Sequence, residues 1–162
     1  MPSFEQIKED LNKALKGKDA LAQSVLRLLI AEIQNKQKEK RYKIFKEGMN
    51  EKELEEKTKL NEEEIGAVIF QEAKKRKDSI REFEKGHRDD LVQKEKAELS
   101  FLEGYLPKQL TEDEIKKQVQ EFIKETGEKE FGKVMSALMS KNKGRIDGAL
   151  LSQVVRSELS GN

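Results

Sequence analysis

Residues 104–115 read GYLPKQLTEDEI, and this stretch separates two groups of predicted helices. Gly104 and Pro107 end the helix before it, because neither residue continues a helix well. Thr111 and Glu114 have the spacing of a capping box, in which each side chain accepts a hydrogen bond from a free backbone N–H of a new helix. The sequence therefore predicts two domains, residues 1–104 and residues 105–162.

Three short apolar stripes follow this boundary, each at helical spacing. They run from Ile115 to Ile123, from Phe131 to Met139 and from Leu150 to Leu159. Isolated helices of about 10 to 14 residues are marginal in water, so the three apolar faces must share one core. We expect a small C-terminal three-helix domain.

Longer helices are predicted upstream of the boundary. Their candidate N-caps are Ser3, Asp19, Asn61 and either Asp89 or Asp90. Gly48 and Asn50 indicate a loop between the second and third helices, and Gly86 ends the third. No segment alternates with the period of two that strands show. The sequence thus predicts an all-α protein of seven helices, with a larger N-terminal helical domain of about four.

The composition excludes several classes of protein. The 162 residues carry a net charge of +1, include no cysteine and are 40% charged, a balance that fits amphipathic helices with solvated outer faces. Disulfides and thiolate metal sites are excluded. No run reaches the roughly 18 apolar residues of a membrane span, and the first residues lack the apolar segment of a signal peptide. We expect a cytoplasmic protein with no membrane partner.

Groups that could carry out catalysis are scarce. His87 is the only histidine, and Asp89 and Asp90 would point about 100° apart on a helix. The glycines and lysines of residues 132–144 do not follow a strand, as those of a P-loop do. Glutamates lie at helical spacing from lysines instead of forming a set of metal ligands. We expect no catalytic residue, no metal site and no cofactor.

The basic residues of KKRKDSIREFEKGHR (74–88) recur at spacings of 3, 4, 4 and 3 and would line one face of the third helix. This basic stripe consists of Lys74, Lys77, Arg81, Lys85 and Arg88. One interpretation is a solvated face in which Lys74 pairs with Asp78 and Glu84 with Arg88. The other is a ridge that contacts phosphates. Both interpretations stay open.

A second basic feature is KNKGR (141–145), the basic turn between the last two predicted helices. Gly144 suits the left-handed position that ends a helix, and Asp147 suits the N-cap of the next one. These roles are structural and leave the density of cations unexplained. Because a helix N-terminus with free N–H groups lies beside them, Lys141, Lys143 and Arg145 are candidate phosphate contacts.

Three stretches carry a resemblance to a known family that extends over nearly the whole chain: SVLRLLIAEIQN (24–35), RDDLVQKEKAELSFLEGYLPKQLTEDEI (88–115) and FGKVMSALMSKNKGRIDGALLSQVV (131–155). In them the chain resembles the YqeY-like family, which is similar to the C-terminal tail domain of GatB, the B subunit of the tRNA-dependent amidotransferase. The resemblance implies a larger helical part followed by a three-helix part, and a role in holding tRNA. The catalytic domains of the amidotransferase are not part of this resemblance.

Three functions follow as hypotheses. The first is a non-catalytic accessory protein that binds tRNA or other structured RNA by shape, since few aromatic residues are present for stacking on bases. The second is a module that docks on an amidotransferase or another translation enzyme. The third is the carbon–nitrogen ligase activity of the associated enzymes, with glutamine as amido-N-donor. For the chain alone we expect no such activity, because it has no cysteine nucleophile and no recognisable serine–lysine amidase motif.

Overall fold

The computed structural model describes residues 1–46, 48 and 50–161, and all regular secondary structure in these residues is helical. The all-α prediction is confirmed. The helices are α1 (Phe4–Lys16), α2 (Ala20–Lys46), α3 (Glu51–Thr58), α4 (Glu62–Lys85), α5 (Asp89–Glu103), α6 (Glu112–Thr126), α7 (Phe131–Lys141) and α8 (Gly148–Ser160).

Helix α3 was not predicted, because Gly48 and Asn50 indicate a loop in this part of the chain. Asn50 is not only a loop residue: its side chain accepts a hydrogen bond from the backbone N–H of Glu53, and the Glu53 carboxylate accepts one from the N–H of Asn50. This capping box stabilises a helix of eight residues whose single buried side chain is Leu54. The described residues therefore form eight helices rather than seven.

The chain divides into two compact units between Leu106 and Pro107. The first unit contains α1 to α5, one helix more than expected, with the long helix α2 packed against the other four. Its core is aliphatic and includes Ile7, Leu26, Leu29, Ile33, Ile65 and Ile69. Asn61 and Glu64 form the predicted capping box of α4.

The second unit contains α6 to α8, whose apolar stripes meet in one core as predicted. Its fully buried side chains include Ile115, Val119, Val134, Leu138, Leu151 and Val155. Thr111 and Glu114 form the predicted capping box of α6, and Gly127 ends this helix in the left-handed conformation with φ of 68°. The Asp147 carboxylate caps α8, also as predicted.

The end of α4 differs from the prediction in two ways. Gly86 follows the last helical residue, but its φ of −83° is ordinary, and His87 adopts the left-handed conformation with φ of 53°. Neither Asp89 nor Asp90 is the N-cap of α5. Arg88 occupies that position without a capping side-chain bond, and both carboxylates lie in the first turn, where they complement the helix dipole.

Candidate functional site

Four residues of the basic stripe lie on α4 with their side chains exposed, as the spacing predicted. Arg88 does not belong to that helix face, because α4 ends at Lys85 and the chain turns at His87. The stripe is thus a helical row of four cations, Lys74, Lys77, Arg81 and Lys85, with a fifth cation at the start of α5.

Carboxylates accompany these cations. Four of the five cations form ion pairs with carboxylates. The pairs are Lys77–Glu103 (3.0 Å), Arg81–Asp78 (3.6 Å), Lys85–Glu82 (2.7 Å) and Arg88–Asp90 (2.9 Å). Lys74 also has an interaction partner. Such exposed pairs add little to stability, but each places a negative charge where a phosphate would bind.

The ion pair predicted between Glu84 and Arg88 does not form. Glu84 accepts a hydrogen bond from Lys96 of α5, with Nζ and Oε1 3.1 Å apart. Arg88 donates from Nε and Nη2 to the two oxygens of Asp90, at 3.0 and 2.9 Å. These hydrogen bonds lower the pKa of Asp90 and keep its carboxyl group ionised.

The basic turn has the backbone conformation that the sequence predicted at Gly144, with φ of 70°. Helix α7 ends at Lys141, and Asn142 follows as a buried polar residue, only 4% exposed. Its side-chain Nδ2 donates to the backbone oxygen of Leu138 at 3.0 Å and to Oε1 of Gln118 on α6 at 2.7 Å. Asn142 therefore ties the turn to the core of the second unit.

The turn also binds the segment that leads into α6. The Gly144 carbonyl accepts a hydrogen bond from Gln109 Nε2 at 2.8 Å, and the Arg145 carbonyl accepts one from the Leu110 N–H at 2.8 Å. Arg145 Nε donates to the Lys108 carbonyl at 3.1 Å. Part of the Arg145 guanidinium group is thus used in the fold, a role that sequence reasoning missed.

These contacts bring a fourth cation to the turn. Lys108, Lys141, Lys143 and Arg145 are all exposed. Among the described residues, neither Lys108 nor Lys141 forms an ion pair. Lys143 has an interaction partner, and so does Asp147, which follows the turn. Another acidic group at the turn is Glu114, whose pKa is lowered by the Thr111 backbone N–H and further by the charges of Lys108 and Arg145. We call Lys108, Lys141, Lys143 and Arg145 the turn cluster. The chain separates Lys108 from the others by more than thirty positions, so no sequence pattern could indicate it.

A polar cleft of about 730 Å³ in the first unit was also not predicted. Arg76 lines it, with Nε 2.9 Å from an oxygen of Glu98 and 3.5 Å from one of Glu95. The side chains of Arg76 and Glu98 are only 14% and 7% exposed. Its lining contains three cations, Arg27, Arg76 and Lys94, and two carboxylates, Glu95 and Glu98. Because Arg76 is already paired with both carboxylates, its charge is largely neutralised within the cleft.

Within the described part of the chain, no group of three or more histidine, cysteine, aspartate or glutamate side chains could hold a metal ion. The same residues include no helix long and apolar enough to span a membrane.

Fold and site together define an all-helical protein in two compact units, with a cationic candidate site in the second. The family model of the YqeY-like protein matches residues 4–159. The chain therefore belongs to the YqeY-like family, as the three sequence stretches indicated.

Fungal proteins named "Altered inheritance of mitochondria protein 41, mitochondrial" are similar to this chain. The protein of Candida glabrata is 30% identical over 139 residues, which cover 79% of this chain and 68% of the relative. That of Vanderwaltozyma polyspora is 30% identical over 83% of this chain and 66% of the relative. That of Pyrenophora tritici-repentis is 30% identical over 93% of this chain and 77% of the relative. The chain spans about two thirds of the length of the first two relatives.

The names of these relatives contradict the prediction of a cytoplasmic protein, because they describe mitochondrial proteins. The prediction rested on three observations: no cysteine, no run of apolar residues long enough for a membrane span, and first residues without the apolar segment of a secretory signal peptide. All three are compatible with the mitochondrial interior as well as with the cytoplasm, so they could not separate the two compartments.

Proposed function

We propose that the protein is a non-catalytic accessory factor that binds tRNA or another structured RNA, with the turn cluster as its principal phosphate-binding surface. The observation that carries the proposal is the turn cluster itself: Lys108, Lys141, Lys143 and Arg145 gather around one turn of fixed backbone. The resemblance to the GatB tail domain supports tRNA as the RNA and a connection to tRNA-dependent amidotransferases.

Fixed geometry favours binding because less side-chain freedom is lost when a phosphate arrives. Arg145 is already held by Nε at the Lys108 carbonyl, so its terminal amino groups project from an anchored base. Cations that contact phosphates release counterions from the RNA, which makes such binding weaken as salt rises. The basic stripe contributes less in this proposal, because its cations must first leave their carboxylates.

A gel-shift titration with total tRNA across a salt series tests the proposal. Lys143→Ala combined with Arg145→Ala should weaken binding on the order of tenfold and reduce the salt slope by about two. Arg81→Ala combined with Lys85→Ala removes the same charge from the basic stripe and should have the smaller effect. The stripe variant should melt close to the parent protein, because exposed cations contribute little to stability. The turn variant also loses the hydrogen bond from Arg145 Nε to the Lys108 carbonyl, so its free energy of unfolding should fall by about 1 kcal/mol.

Two results would overturn the proposal. The parent protein must bind tRNA at low salt, and binding that is absent there, or that salt does not weaken, excludes phosphate contact as its basis. Equal loss of affinity in the two double variants would show a general charge effect and no special role for the turn cluster.

A further inference from the structure

The C-terminal part of α2 exposes two aromatic side chains. Tyr42 is 62% and Phe45 is 64% exposed, whereas every other aromatic side chain in the described part of the chain is mostly buried. Aromatic rings normally account for much of the buried area of a core or an interface, so two exposed rings on one helix indicate a surface that a partner covers.

Cations surround these rings. Lys38, Arg41, Tyr42, Phe45 and Lys46 are all exposed and fall within one face of α2, because their spacings of three and four residues return to the same side of a helix. Lys46 Nζ lies 4.6 Å from the centre of the Tyr42 ring, a cation–π contact. We call these five residues the basic–aromatic face.

The opposite side of this part of α2 contacts α4 and the residue that follows α3. Lys40 lies two residues from both Lys38 and Tyr42, and therefore on the far side of the helix. Its Nζ bonds both Glu64 oxygens at 2.8 Å and the Lys59 carbonyl at 3.1 Å. The hydrogen bond from Lys40 lowers the pKa of Glu64, so this contact remains charged. The helix end is thus held with the basic–aromatic face turned outward.

We propose that the basic–aromatic face binds a single-stranded segment of RNA, with unpaired bases stacked on Tyr42 and Phe45 and backbone phosphates on Lys38, Arg41 and Lys46. Aromatic side chains combined with cations are the arrangement that single-stranded nucleic acid requires, because every base has a face for stacking and every nucleotide a charge. The inference rests on the proposed RNA-binding function and adds unpaired nucleotides to its substrate class.

Charge placement favours RNA over a lipid surface. A helix that lies on a membrane presents a continuous apolar face bordered by cations. Here Lys38 projects between the directions of Tyr42 and Phe45 one helical turn before them, so the face continues as a cation and not as a continuous apolar surface. The chain has few aromatic residues for stacking, but the exposure of Tyr42 and Phe45 makes two rings available to unpaired bases.

Binding of a twelve-residue oligouridylate and of a twelve-base-pair RNA duplex, measured by fluorescence anisotropy, tests the inference. Tyr42→Ala combined with Phe45→Ala should weaken oligouridylate binding tenfold or more and change duplex binding less than twofold. Tyr42→Leu with Phe45→Leu keeps apolar area but no ring, and it should lose as much. Full binding by the leucine variant, or equal effects on both RNAs, would overturn the proposal.

A direct readout comes from Tyr42→Trp, since the chain has no tryptophan of its own. Oligouridylate should quench the fluorescence of this variant, and an unchanged signal at saturation would contradict stacking. Vesicles of phosphatidylglycerol and phosphatidylcholine provide the lipid comparison. If the alanine variant loses vesicle binding while oligouridylate binding stays intact, the face is a membrane surface and the inference fails.

The two proposals fail separately. Total tRNA binding that depends on salt and on Lys143 and Arg145 tests the proposed function. The difference between oligouridylate and duplex in the Tyr42 and Phe45 variants tests the basic–aromatic face alone.

Discussion

The basic stripe and the turn cluster contain similar numbers of exposed cations but arrange them differently. On α4 the helical repeat that aligns the cations also aligns carboxylates three residues away, and Arg81 and Lys85 find theirs on the same helix. At the turn the backbone leaves the helix. There the Asn142 side chain donates to Gln118, and the Arg145 carbonyl accepts from the Leu110 N–H of the segment before α6. Helix α4 thus supplies carboxylates for two of its own cations, whereas at the turn Lys108 and Lys141 form no ion pair among the described residues.

The largest expected effect concerns the buried anchor of the turn. Asn142→Ala removes both side-chain hydrogen bonds and leaves a small void, so we expect a loss of about 2 kcal/mol in the free energy of unfolding. Urea denaturation followed by circular dichroism measures it. Hydrogen exchange should show the loss in α6 to α8 and leave α1 to α5 protected.

Lys143→Ala is the matched control for Asn142→Ala, because it truncates the adjacent exposed side chain. Its free energy of unfolding should stay within about 0.5 kcal/mol of the parent value. If Asn142→Ala is equally mild, the turn is not held by its buried amide, and the contrast with the basic stripe loses its structural basis.

The next effect concerns backbone conformation. Gly144→Val forces a β-branched residue into a left-handed conformation and should cost about 1 to 2 kcal/mol of stability. Gly127→Val is the matched control, because Gly127 has nearly the same φ and open space around it. Both variants share the conformational cost, but only in Gly144→Val does a change of backbone conformation move the carbonyl that accepts from Gln109, so thermal melts should show the larger loss there. Equal losses would show that this backbone shift has no further cost at the turn.

The local signals of the second unit could be read from the sequence. Thr111 with Glu114, Gly144 and Asp147 each act through neighbours within a few positions, so their spacing predicts their role. Lys108 and Arg145 meet only because the chain folds back, and their hydrogen bond has no local signature. The apolar stripes predicted the helices and their shared core. Which cations belong to the turn cluster depends on tertiary contacts, which the stripes do not indicate.

In the first unit, the errors have local physical causes. Helix α3 has one buried side chain, Leu54, so it shows no apolar stripe for periodicity to detect. Asp89 or Asp90 was predicted to be the N-cap of α5 because that is the common role of aspartate before a helix. The Asp90 carboxylate instead pairs with Arg88, and this pairing depends on where α4 ends and the chain turns. Spacing along the chain also cannot indicate ion pairs between helices, such as Lys96 of α5 with Glu84 of α4.

A smaller effect of opposite sign is expected where α4 ends. His87 adopts φ of 53°, and this left-handed conformation is strained for any residue with a Cβ atom but not for glycine. His87→Gly should therefore raise the free energy of unfolding by about 0.5 to 1 kcal/mol, after allowance for the greater freedom of glycine in the unfolded chain. His87→Ala keeps the strained φ and should give no gain. A gain in the alanine variant would assign the effect to the imidazole instead of the backbone.

The smallest expected effect tests whether carboxylates hold the basic stripe out of RNA binding. Asp90→Asn releases Arg88, while Asp89→Asn changes the charge of the neighbouring residue, which forms no ion pair in the described part of the chain. Both variants gain one positive charge and lose one acidic group from the first turn of α5, so their general electrostatic and helix-dipole effects should match. Because Arg88 becomes available only in Asp90→Asn, this variant should bind total tRNA roughly twofold more tightly than Asp89→Asn at low salt. Equal affinities would mean that releasing Arg88 from its carboxylate creates no phosphate contact. The basic stripe would then be a solvated helix face, and the turn cluster would remain the only cationic surface proposed to contact structured RNA.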